Sequence, residues 1–233
     1  MKLYKKIPEA GNKCYISKAE GGMNPCIPRP NGSPMRFANC VFFAVGNFAE
    51  NTGVWLPSTN AENLLNAAKK LGFITTDIPA HGALAVWSCG QVGNGSDGAG
   101  HVAVVVDIGP DYIVTAESGW SAKIPFWTTT RSRRDRRYGQ SEKYTFEGFV
   151  WPTRSLYYNQ TKGDAFVKCC TKQLQSSLAV LGFMRGSEID GDFGKITLGG
   201  VAGYQIMNGL KADGIAGEKT LRSIGLQMLA KLK

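Results

Sequence analysis

Cys40 is a candidate for chemistry in this sequence, because it directly follows Asn39 and begins an apolar run that reaches Phe48. Asparagine is a favoured helix N-cap, so the pattern predicts a helix over residues 40–51 with Cys40 at its first position. The positive end of a helix dipole and the unpaired N–H groups there favour a thiolate over a thiol. Cys40 is therefore a candidate nucleophile, and its own N–H is a candidate oxyanion donor. The alternative is a buried core cysteine with no chemical role, which is the commoner situation for a cysteine taken alone.

The chain has only two histidines, His81 and His101, and a cysteine hydrolase needs an imidazole to accept the thiol proton. His101 follows a glycine-rich loop and begins a β-branched run, where a side chain can face a cleft. The turn at 109–111 predicts an antiparallel hairpin of strands 101–107 and 112–117. Pairing of positions that sum to about 218 brings Glu117 beside His101, as the group that orients the imidazole. His81 lies in a predicted turn and is interpreted as a surface residue.

The surrounding pattern, helices first and then strands, predicts an α+β domain. Residues 1–38 are expected to form an irregular arm, since the prolines between positions 25 and 34 exclude a long helix. Asn60 is the predicted cap of a second helix, which ends at Gly72 and has one apolar stripe formed by Leu64, Leu65, Ala68 and Leu71. Further strands are predicted at 82–87 and 146–151, and the domain is expected to span residues 1–152.

A second, smaller unit is expected at residues 165–233, after a polar linker at 153–164. The pattern D-G-x-x-G-x-x-T occurs there twice, at 190–197 and 213–220. Each copy predicts a turn before a helix, and the unit is expected to be a three-helix module. Because few contacts should cross a linker, a fragment of residues 1–155 is expected to fold alone. The first copy resembles a calcium loop, but Val201 replaces the required glutamate, which argues against calcium there.

Charge and composition limit the classes of partner. The net charge is +9, with 17 Lys and Arg against 12 Asp and Glu in residues 1–155 and 10 against 6 in residues 156–233. Both parts are basic, which favours a polyanionic partner, with general solubility as the alternative. Five arginines between positions 131 and 137 suggest a nucleic-acid patch, but without an aromatic ladder an exposed loop is favoured. The six cysteines have no C-x-x-C spacing, so no zinc site is expected. The apolar runs are all shorter than the roughly 20 residues of a membrane helix.

Several segments, in their order and spacing, resemble the CHAP family over about residues 20–152: NCVFFA at 39–44, GALAVW at 82–87, GHVAVV at 100–105, ESGW at 117–120 and FEGFV at 146–150. The resemblance implies a papain-like fold that hydrolyses amide bonds in bacterial peptidoglycan. By motif position, it implies Cys40 as nucleophile, His101 as general base and Glu117 as orienting acid. We also expect substrate contacts from Asn39, Trp87 and Trp120. Some members bind calcium through aspartates before the nucleophile, but residues 22–39 contain no Asp or Glu, so we expect no metal and no cofactor.

The tail is similar to the three-helix peptidoglycan-binding domain over about residues 165–230, through DGDFG at 190–194, VAGYQ at 201–205 and GLKADGIAG at 209–217. The substrate contacts expected there are Asp190, Phe193, Tyr204, Gln205 and Asp213. This domain order resembles the endolysins of phages that infect Gram-positive hosts. It implies peptidoglycan as partner, no nucleic acid, no membrane insertion, storage in the host cytoplasm until lysis, and release through a holin, in agreement with an N-terminus that lacks a secretory signal.

Three questions stay open at this point. The amide cut is either the N-acetylmuramoyl–L-alanine bond or a peptide cross-bridge, and the oligomeric state is unknown. A non-catalytic wall-binding protein is the alternative function, and a basic nucleic-acid-binding protein is less favoured.

Overall fold

The structure, a computed structural model, describes residues 1–8, 12, 14–16, 21–22, 26–28, 34–89, 99–119, 124–135, 137–158, 160 and 165–231. Two short paired strands, β1 (Cys26–Pro28) and β2 (Pro34–Ala38), precede helix α1 (Cys40–Thr52). A 3₁₀ turn (Ala61–Asn63) then leads into helix α2 (Leu64–Lys70). The arm expected to be irregular over residues 1–38 therefore contains a small sheet, whose strands are short as the prolines require.

A six-stranded antiparallel sheet forms the body of the first domain. Its strands are β3 (Phe73–Thr76), β4 (Leu84–Cys89), β5 (His101–Ile108), β6 (Tyr112–Glu117), β7 (Trp127–Ser132) and β8 (Tyr144–Arg154). They lie in the order β3-β8-β4-β5-β6-β7. The predicted α+β class is confirmed, and β3 and β7 are strands that the sequence pattern did not predict.

Alternate side chains of β5 enter two different hydrophobic cores. Val102, Val104 and Val106 belong to the core that includes α1 and α2, whereas Ala103 and Val105 belong to the core on the other face. A strand that is buried on both faces needs a continuous apolar run, and this explains the β-branched sequence of β5.

Helix α2 is shorter than predicted. Leu64 and Ala68 are buried as expected, but the helix ends at Lys70, so Leu71 lies outside it and is exposed. Asn60 makes no side-chain capping hydrogen bond, because a 3₁₀ turn separates it from α2.

The second domain contains three helices, as predicted: α3 (Ala165–Val180), α4 (Lys195–Met207) and α5 (Glu218–Lys231). A 3₁₀ turn (Gly186–Glu188) lies between α3 and α4. None of the helices in the described residues has both the length and the apolar character needed to span a membrane.

The predicted linker at 153–164 is wrong in its first part. Strand β8 continues to Arg154, and Leu156 exchanges two backbone hydrogen bonds with Ala216 of the second domain, at 3.1 and 2.8 Å. Pro152 fits within the strand because the β3–β8 register shifts there, between the pairs Thr75–Val150 and Phe73–Arg154.

The two domains also share one hydrophobic core. Trp151 and Leu156 lie in the same buried cluster as Leu174 and Ile224 of the second domain. This continuity contradicts the assumption that few contacts cross between the domains, so the reason to expect independent folding of residues 1–155 no longer holds.

Candidate active site

Helix α1 begins at the predicted residue. Asn39 is extended, with φ −70° and ψ −179°, and its side chain accepts a 3.0 Å hydrogen bond from the Phe42 N–H. The first backbone bond of the helix runs from the Phe43 N–H to the Asn39 carbonyl. The N–H of Cys40 therefore precedes the intrahelical bonds and is available to a ligand. At the other end Gly53 adopts φ 71°, the left-handed conformation that ends a helix.

His101 is the first residue of β5, and the residue before it must be glycine. Gly100 has φ +65°, and a Cβ there would lie 2.3 Å from the Trp87 carbonyl oxygen. The chain thus turns tightly against β4 before β5 begins, and this turn brings the imidazole to the end of the sheet.

The His101 side chain links the predicted nucleophile to the predicted acid. Its Nε2 lies 2.8 Å from Oε2 of Glu117, which leaves Nδ1 as the nitrogen available to the thiol, and Cys40 is close enough to the ring to raise its pKa. Burial lowers the pKa of His101, but the interactions with Cys40 and Glu117 outweigh burial and raise it to about 9. The arrangement therefore favours the protonated imidazole.

The β5–β6 register differs from the predicted one. The observed partners are Val104 with Ala116 and Val105 with Thr115, and a bulge follows at Val106. Glu117 therefore lies diagonally from His101 instead of opposite it, and its side chain still reaches the ring. The predicted contact is present even though the predicted register was shifted.

Glu117 is a buried carboxylate, 1% exposed. Besides His101, it accepts hydrogen bonds from Thr115 Oγ1 at 2.7 Å and from Arg131 Nη2 at 2.8 and 2.9 Å. Burial alone raises the pKa of a carboxylate, but the His101 hydrogen bond and the Arg131 charge outweigh it and lower the pKa of Glu117 to about 2. The carboxylate is therefore ionised throughout the physiological range.

Ser118 ties this carboxylate to the start of α1. Its buried hydroxyl donates a 2.5 Å hydrogen bond to the carbonyl of Ala38, two residues before Cys40. The end of β6 and the start of α1 are thus fixed to each other.

Arg131 is the residue of this site that the sequence did not identify. It had been grouped with four other arginines as an exposed loop or a nucleic-acid patch, yet it lies in β7 and is 4% exposed. Arg133 donates to the backbone carbonyls of Gly109 and Pro110, and Arg134 pairs with Asp111. Arg131, Arg133 and Arg134 therefore have separate partners and do not form one patch.

A signal for Arg131 was present in the sequence. Residues 127–130 read Trp-Thr-Thr-Thr, which is rich in strand-forming types. A buried carboxylate also needs a permanent counter-charge, which a neutral histidine does not supply. These two observations together would have placed a cation on a strand beside Glu117.

The catalytic candidates open into a polar cleft of about 940 Å³. It is lined on its sides by the loop before α2, by β7 and by the residues at the start of β8. The residues lining it include Asn39, Cys40, Ser58, Thr59, Asn60, His101, Glu117, Trp127, Arg131, Gln140, Lys143 and Tyr144. The cleft is large enough for a peptide or sugar segment.

The predicted substrate contacts in the first domain have different outcomes. Asn39 lines the cleft, and its contact with substrate stays a prediction. Trp87 is fully buried, with its Nε1 donating to the Arg137 carbonyl at 2.8 Å, so the prediction of direct contact is wrong for this residue. Trp120 lies outside the described residues. His81 is exposed and lies 3.9 Å from Asp107, in agreement with its interpretation as a surface residue.

In the second domain the repeated motif forms two glutamine turns, each named here for the buried amide that closes it. Gln175 accepts from the Gly191 N–H and donates to Asp190, the Asp192 carbonyl and Thr197. Gln205 makes the matching bonds: it accepts from the Gly214 N–H and donates to Asp213, the Ile215 carbonyl and Thr220. The repeat therefore encodes a structural device.

This arrangement corrects part of the predicted wall-binding set. Phe193, Tyr204 and Gln205 are buried, with at most 7% exposure. Their side chains hold the domain together and do not present a surface to substrate. Asp190 and Asp213 are exposed at the two turns, and their role in binding stays a prediction.

No three or more His, Cys, Asp or Glu side chains in the described part of the chain are grouped so that they could hold a metal ion. The expectation that the site needs no calcium stays a prediction from the sequence, since residues 23–25 and 29–33 are outside that part.

Comparison with known proteins gives two family matches: the CHAP domain at residues 29–119 and a peptidoglycan binding domain at residues 171–224. Among solved structures, similarity is found to the N-acetylmuramoyl-L-alanine amidase of Staphylococcus aureus, with 21% identity over 49% of this chain and a TM-score of 0.36. A periplasmic domain of the EpsAB fusion protein of the Vibrio vulnificus type II secretion system gives 16% identity over 67% of this chain and a TM-score of 0.30.

The chain spans 31% of the first of these structures and 59% of the second. No curated protein gives a significant match. The two family matches cover all three of Cys40, His101 and Glu117 and both glutamine turns. The chain thus carries a CHAP domain at residues 29–119, followed by a peptidoglycan-binding domain at residues 171–224.

Proposed function

We propose that this protein hydrolyses an amide bond of bacterial peptidoglycan with Cys40 as the nucleophile. The observation that carries the proposal is the placement of Cys40, His101 and Glu117 on one open cleft, with Nε2 of His101 bonded to Glu117 and with Cys40 close enough to raise the pKa of the ring. A thiol, an imidazole and an orienting carboxylate are the groups that cysteine hydrolases require. The CHAP and peptidoglycan-binding matches support the wall as the substrate.

Acylation would begin after the proton of the Cys40 thiol has moved to His101, which leaves a thiolate and an imidazolium. The thiolate attacks the carbonyl carbon of the amide, and the carbonyl oxygen becomes an oxyanion that the Cys40 N–H at the helix start can stabilise. The imidazolium then gives its proton to the amide nitrogen, and the C–N bond breaks. The products of this step are a free amine and a thioester on Cys40.

Deacylation uses the same residues in reverse. His101 takes a proton from water, and the hydroxide attacks the thioester carbon. The C–S bond breaks, the carboxylic acid leaves, and the proton returns to the Cys40–His101 pair. Glu117 stays ionised through both steps, because its role is to hold Nε2 of the ring and to stabilise the imidazolium.

The second domain would hold the enzyme on the wall. Attachment raises the local concentration of substrate around the cleft. This can increase the apparent affinity for the wall by about 10²-fold without new contacts at the active site. Because the two domains share a core, the bound domain and the cleft would move as one unit. Storage in a host cytoplasm and release through a holin stay predictions from the sequence.

The test is digestion of purified cell walls by the full chain and by Cys40→Ala, followed by mass spectrometry of the products. We expect the wild type to clear the walls and the variant to do so at a rate at least about 10³-fold lower. Cys169→Ala removes an exposed thiol far along the chain and serves as the matched control, with unchanged activity.

The product masses also decide between the open alternatives. A free N-acetylmuramic acid lactyl group identifies the glycan–peptide amide, and a new peptide amine without it identifies a cross-bridge. Undiminished clearing by Cys40→Ala would refute the proposed mechanism. Binding to walls without any cleavage by the wild type would favour the non-catalytic alternative.

A further inference from the structure

Arg131 is held by several hydrogen bonds around the Glu117 carboxylate, in addition to the ion pair itself. Its Nη2 reaches both oxygens of Glu117, its Nε donates to Thr115 Oγ1 at 2.9 Å, and its Nη1 donates to the Tyr138 carbonyl at 2.6 Å. Thr115 in turn donates to Glu117. All three guanidinium nitrogens are therefore bonded, and two routes lead from them to the same carboxylate.

The plane of the guanidinium is also held from one side. Its central carbon lies 4.8 Å from the centre of the Trp87 ring, and that ring lies 5.8 Å from the His101 ring. Trp87 is itself fixed by its hydrogen bond to the Arg137 carbonyl. This explains why a fully buried tryptophan lies beside the site without contacting the cleft.

The charges around Glu117 balance only when Arg131 is counted. The ionisable groups that line the cleft near the carboxylate, from every element around it, are Cys40 of α1, His101 of β5, Arg131 of β7, and Lys143 and Tyr144 at the start of β8. Lys143 is exposed to solvent, where its charge is screened. In the buried cluster, the guanidinium offsets the carboxylate, and a thiolate offsets an imidazolium. Proton transfer between Cys40 and His101 therefore leaves the net charge of the buried cluster at zero.

We propose that Arg131 is a positioning residue for the reaction, which keeps Glu117 ionised and aims its Oε2 at His101 so that the Cys40–His101 pair can exist as thiolate and imidazolium. The inference rests on the proposed function for its relevance to turnover, but the state of the Cys40–His101 pair is measurable without any wall substrate.

Charge and geometry are separable by the choice of variant. Arg131→Met removes both the positive charge and the planar set of N–H donors of the guanidinium, so the buried Glu117 loses its permanent counter-ion. A nearby opposite charge typically lowers a carboxylate pKa by about 1–3 units, and the variant loses this effect. Arg131→Lys keeps a positive charge but offers a point donor in place of a planar fork. Arg134→Met is the matched control, because Arg134 lies in the same run and is exposed, with its partner Asp111 remote from the cleft.

The experiment measures the rate of Cys40 alkylation by iodoacetamide in the full chain between pH 3 and pH 9, with the Cys40 peptide followed by mass spectrometry. Only the thiolate reacts, so the acid limb of this profile reports loss of the ion pair. We expect Arg131→Met to shift the acid limb upward by about one pH unit or more, as Glu117 becomes protonated at higher pH. Arg131→Lys keeps the charge, so its acid limb should lie close to that of the wild type, while its turnover on soluble wall fragments should still fall about tenfold. Arg134→Met should leave both unchanged.

A double variant covers the case in which Arg131→Met does not fold. Glu117→Gln with Arg131→Met leaves no isolated buried charge, and the effect of the arginine change should largely vanish in the Glu117→Gln background if Arg131 acts through Glu117. Superimposable alkylation profiles for wild type and Arg131→Met, or full additivity in the double variant, would overturn the proposal. If the profiles shift as expected while the wild type cuts no wall, the function proposed above fails and the positioning role stands.

Discussion

The candidate active-site cleft and the two glutamine turns both bury polar side chains, but they do so with different chemistry. Each glutamine turn uses a neutral amide whose donors and acceptor all have partners within one short stretch of the second domain. The cleft instead gathers Cys40, His101, Glu117 and Arg131 from four different elements. Glu117 and Arg131 form a buried ion pair, and the cluster opens to the cleft at Cys40.

The difference shows how two buried polar networks can be distinguished. A network centred on a buried amide whose donors and acceptor all have partners, with no nucleophile open to solvent, serves to stabilise the fold. A charged network that ends at an open nucleophile keeps a position for substrate. The repeated D-G-x-x-G-x-x-T motif was the more visible pattern in the sequence, and yet it belongs to the first kind.

The largest expected effect concerns the histidine of the cleft. His101→Ala removes the proton acceptor of Cys40 and should lower the rate on wall fragments by about 10³ or more. His81→Ala is the matched control, because His81 is exposed and lies beside Asp107, and its rate should stay within about twofold of the wild type. Release of soluble amines from purified walls measures both. A larger loss for His81→Ala would show that the base has been assigned to the wrong histidine.

The pH dependence of turnover gives the next effect. Burial lowers the pKa of His101, but the interactions with Cys40 and Glu117 outweigh burial and raise it to about 9. The imidazolium is therefore present below that pH and lost above it. The rate on soluble fragments should therefore fall about tenfold per unit above pH 9. The pKa of Glu117, held at about 2, predicts that Glu117 does not set the acid limb in the wild type. An activity that keeps rising through pH 10 would contradict the ion pair.

How much of this was predictable depends on the distance over which each signal acts. The start of α1 was predicted at the right residue, because the Asn39 cap and the following apolar run are adjacent in the sequence. The contact between His101 and Glu117 was predicted from a single short hairpin. The β5–β6 register was wrong, because the bulge after Val105 leaves no mark in the sequence pattern.

Arg131 and the domain interface could not be read in the same way. Strand β7 alternates between exposed and half-buried residues before Arg131, so its composition looks like that of a loop. Pro152 marked a boundary by local rules, but the bulge it occupies lets β8 continue into contact with the second domain. Both features depend on partners that are distant in sequence, and local propensity does not contain that information.

Removal of the second domain tests whether the cleft depends on it. In a fragment of residues 1–155, Trp151 loses the cover of the second domain, where a Cβ added to Gly225 would lie 3.2 Å from its ring, and the pairing of Leu156 with Ala216 is absent. Exposure of one large apolar side chain costs about 1.5–3 kcal/mol, so the fragment should melt below the full chain. Calorimetry of both proteins measures this, and an unchanged melting temperature would restore the linker interpretation.

The smallest expected effect concerns the glutamine turns, and it addresses the comparison most directly. Gln205→Leu keeps the volume of the side chain but leaves the Gly214 N–H, the Ile215 carbonyl and Thr220 without this partner. Loss of a buried hydrogen-bond partner costs about 1–3 kcal/mol, which in a chain of this size lowers the melting temperature by about 2–4 °C for each kcal/mol.

Gln205 helps to hold the pKa of Asp213 below its ordinary value, so the carboxylate is ionised at pH 5 and at pH 8, and the loss should be the same at both, unlike the effects of changes in the cleft. Gln175→Leu should behave alike, since its turn has the matching bonds. Gln173→Leu, at an exposed position of the same helix, should change stability by less than about 0.5 kcal/mol. Turnover on soluble fragments below the melting range should be unaffected by all three, because no glutamine turn contacts Cys40 or His101. A Gln205→Leu protein that stays folded but cuts soluble fragments more slowly would show that the second domain contributes to the chemistry, and the distinction between the two networks would then be lost.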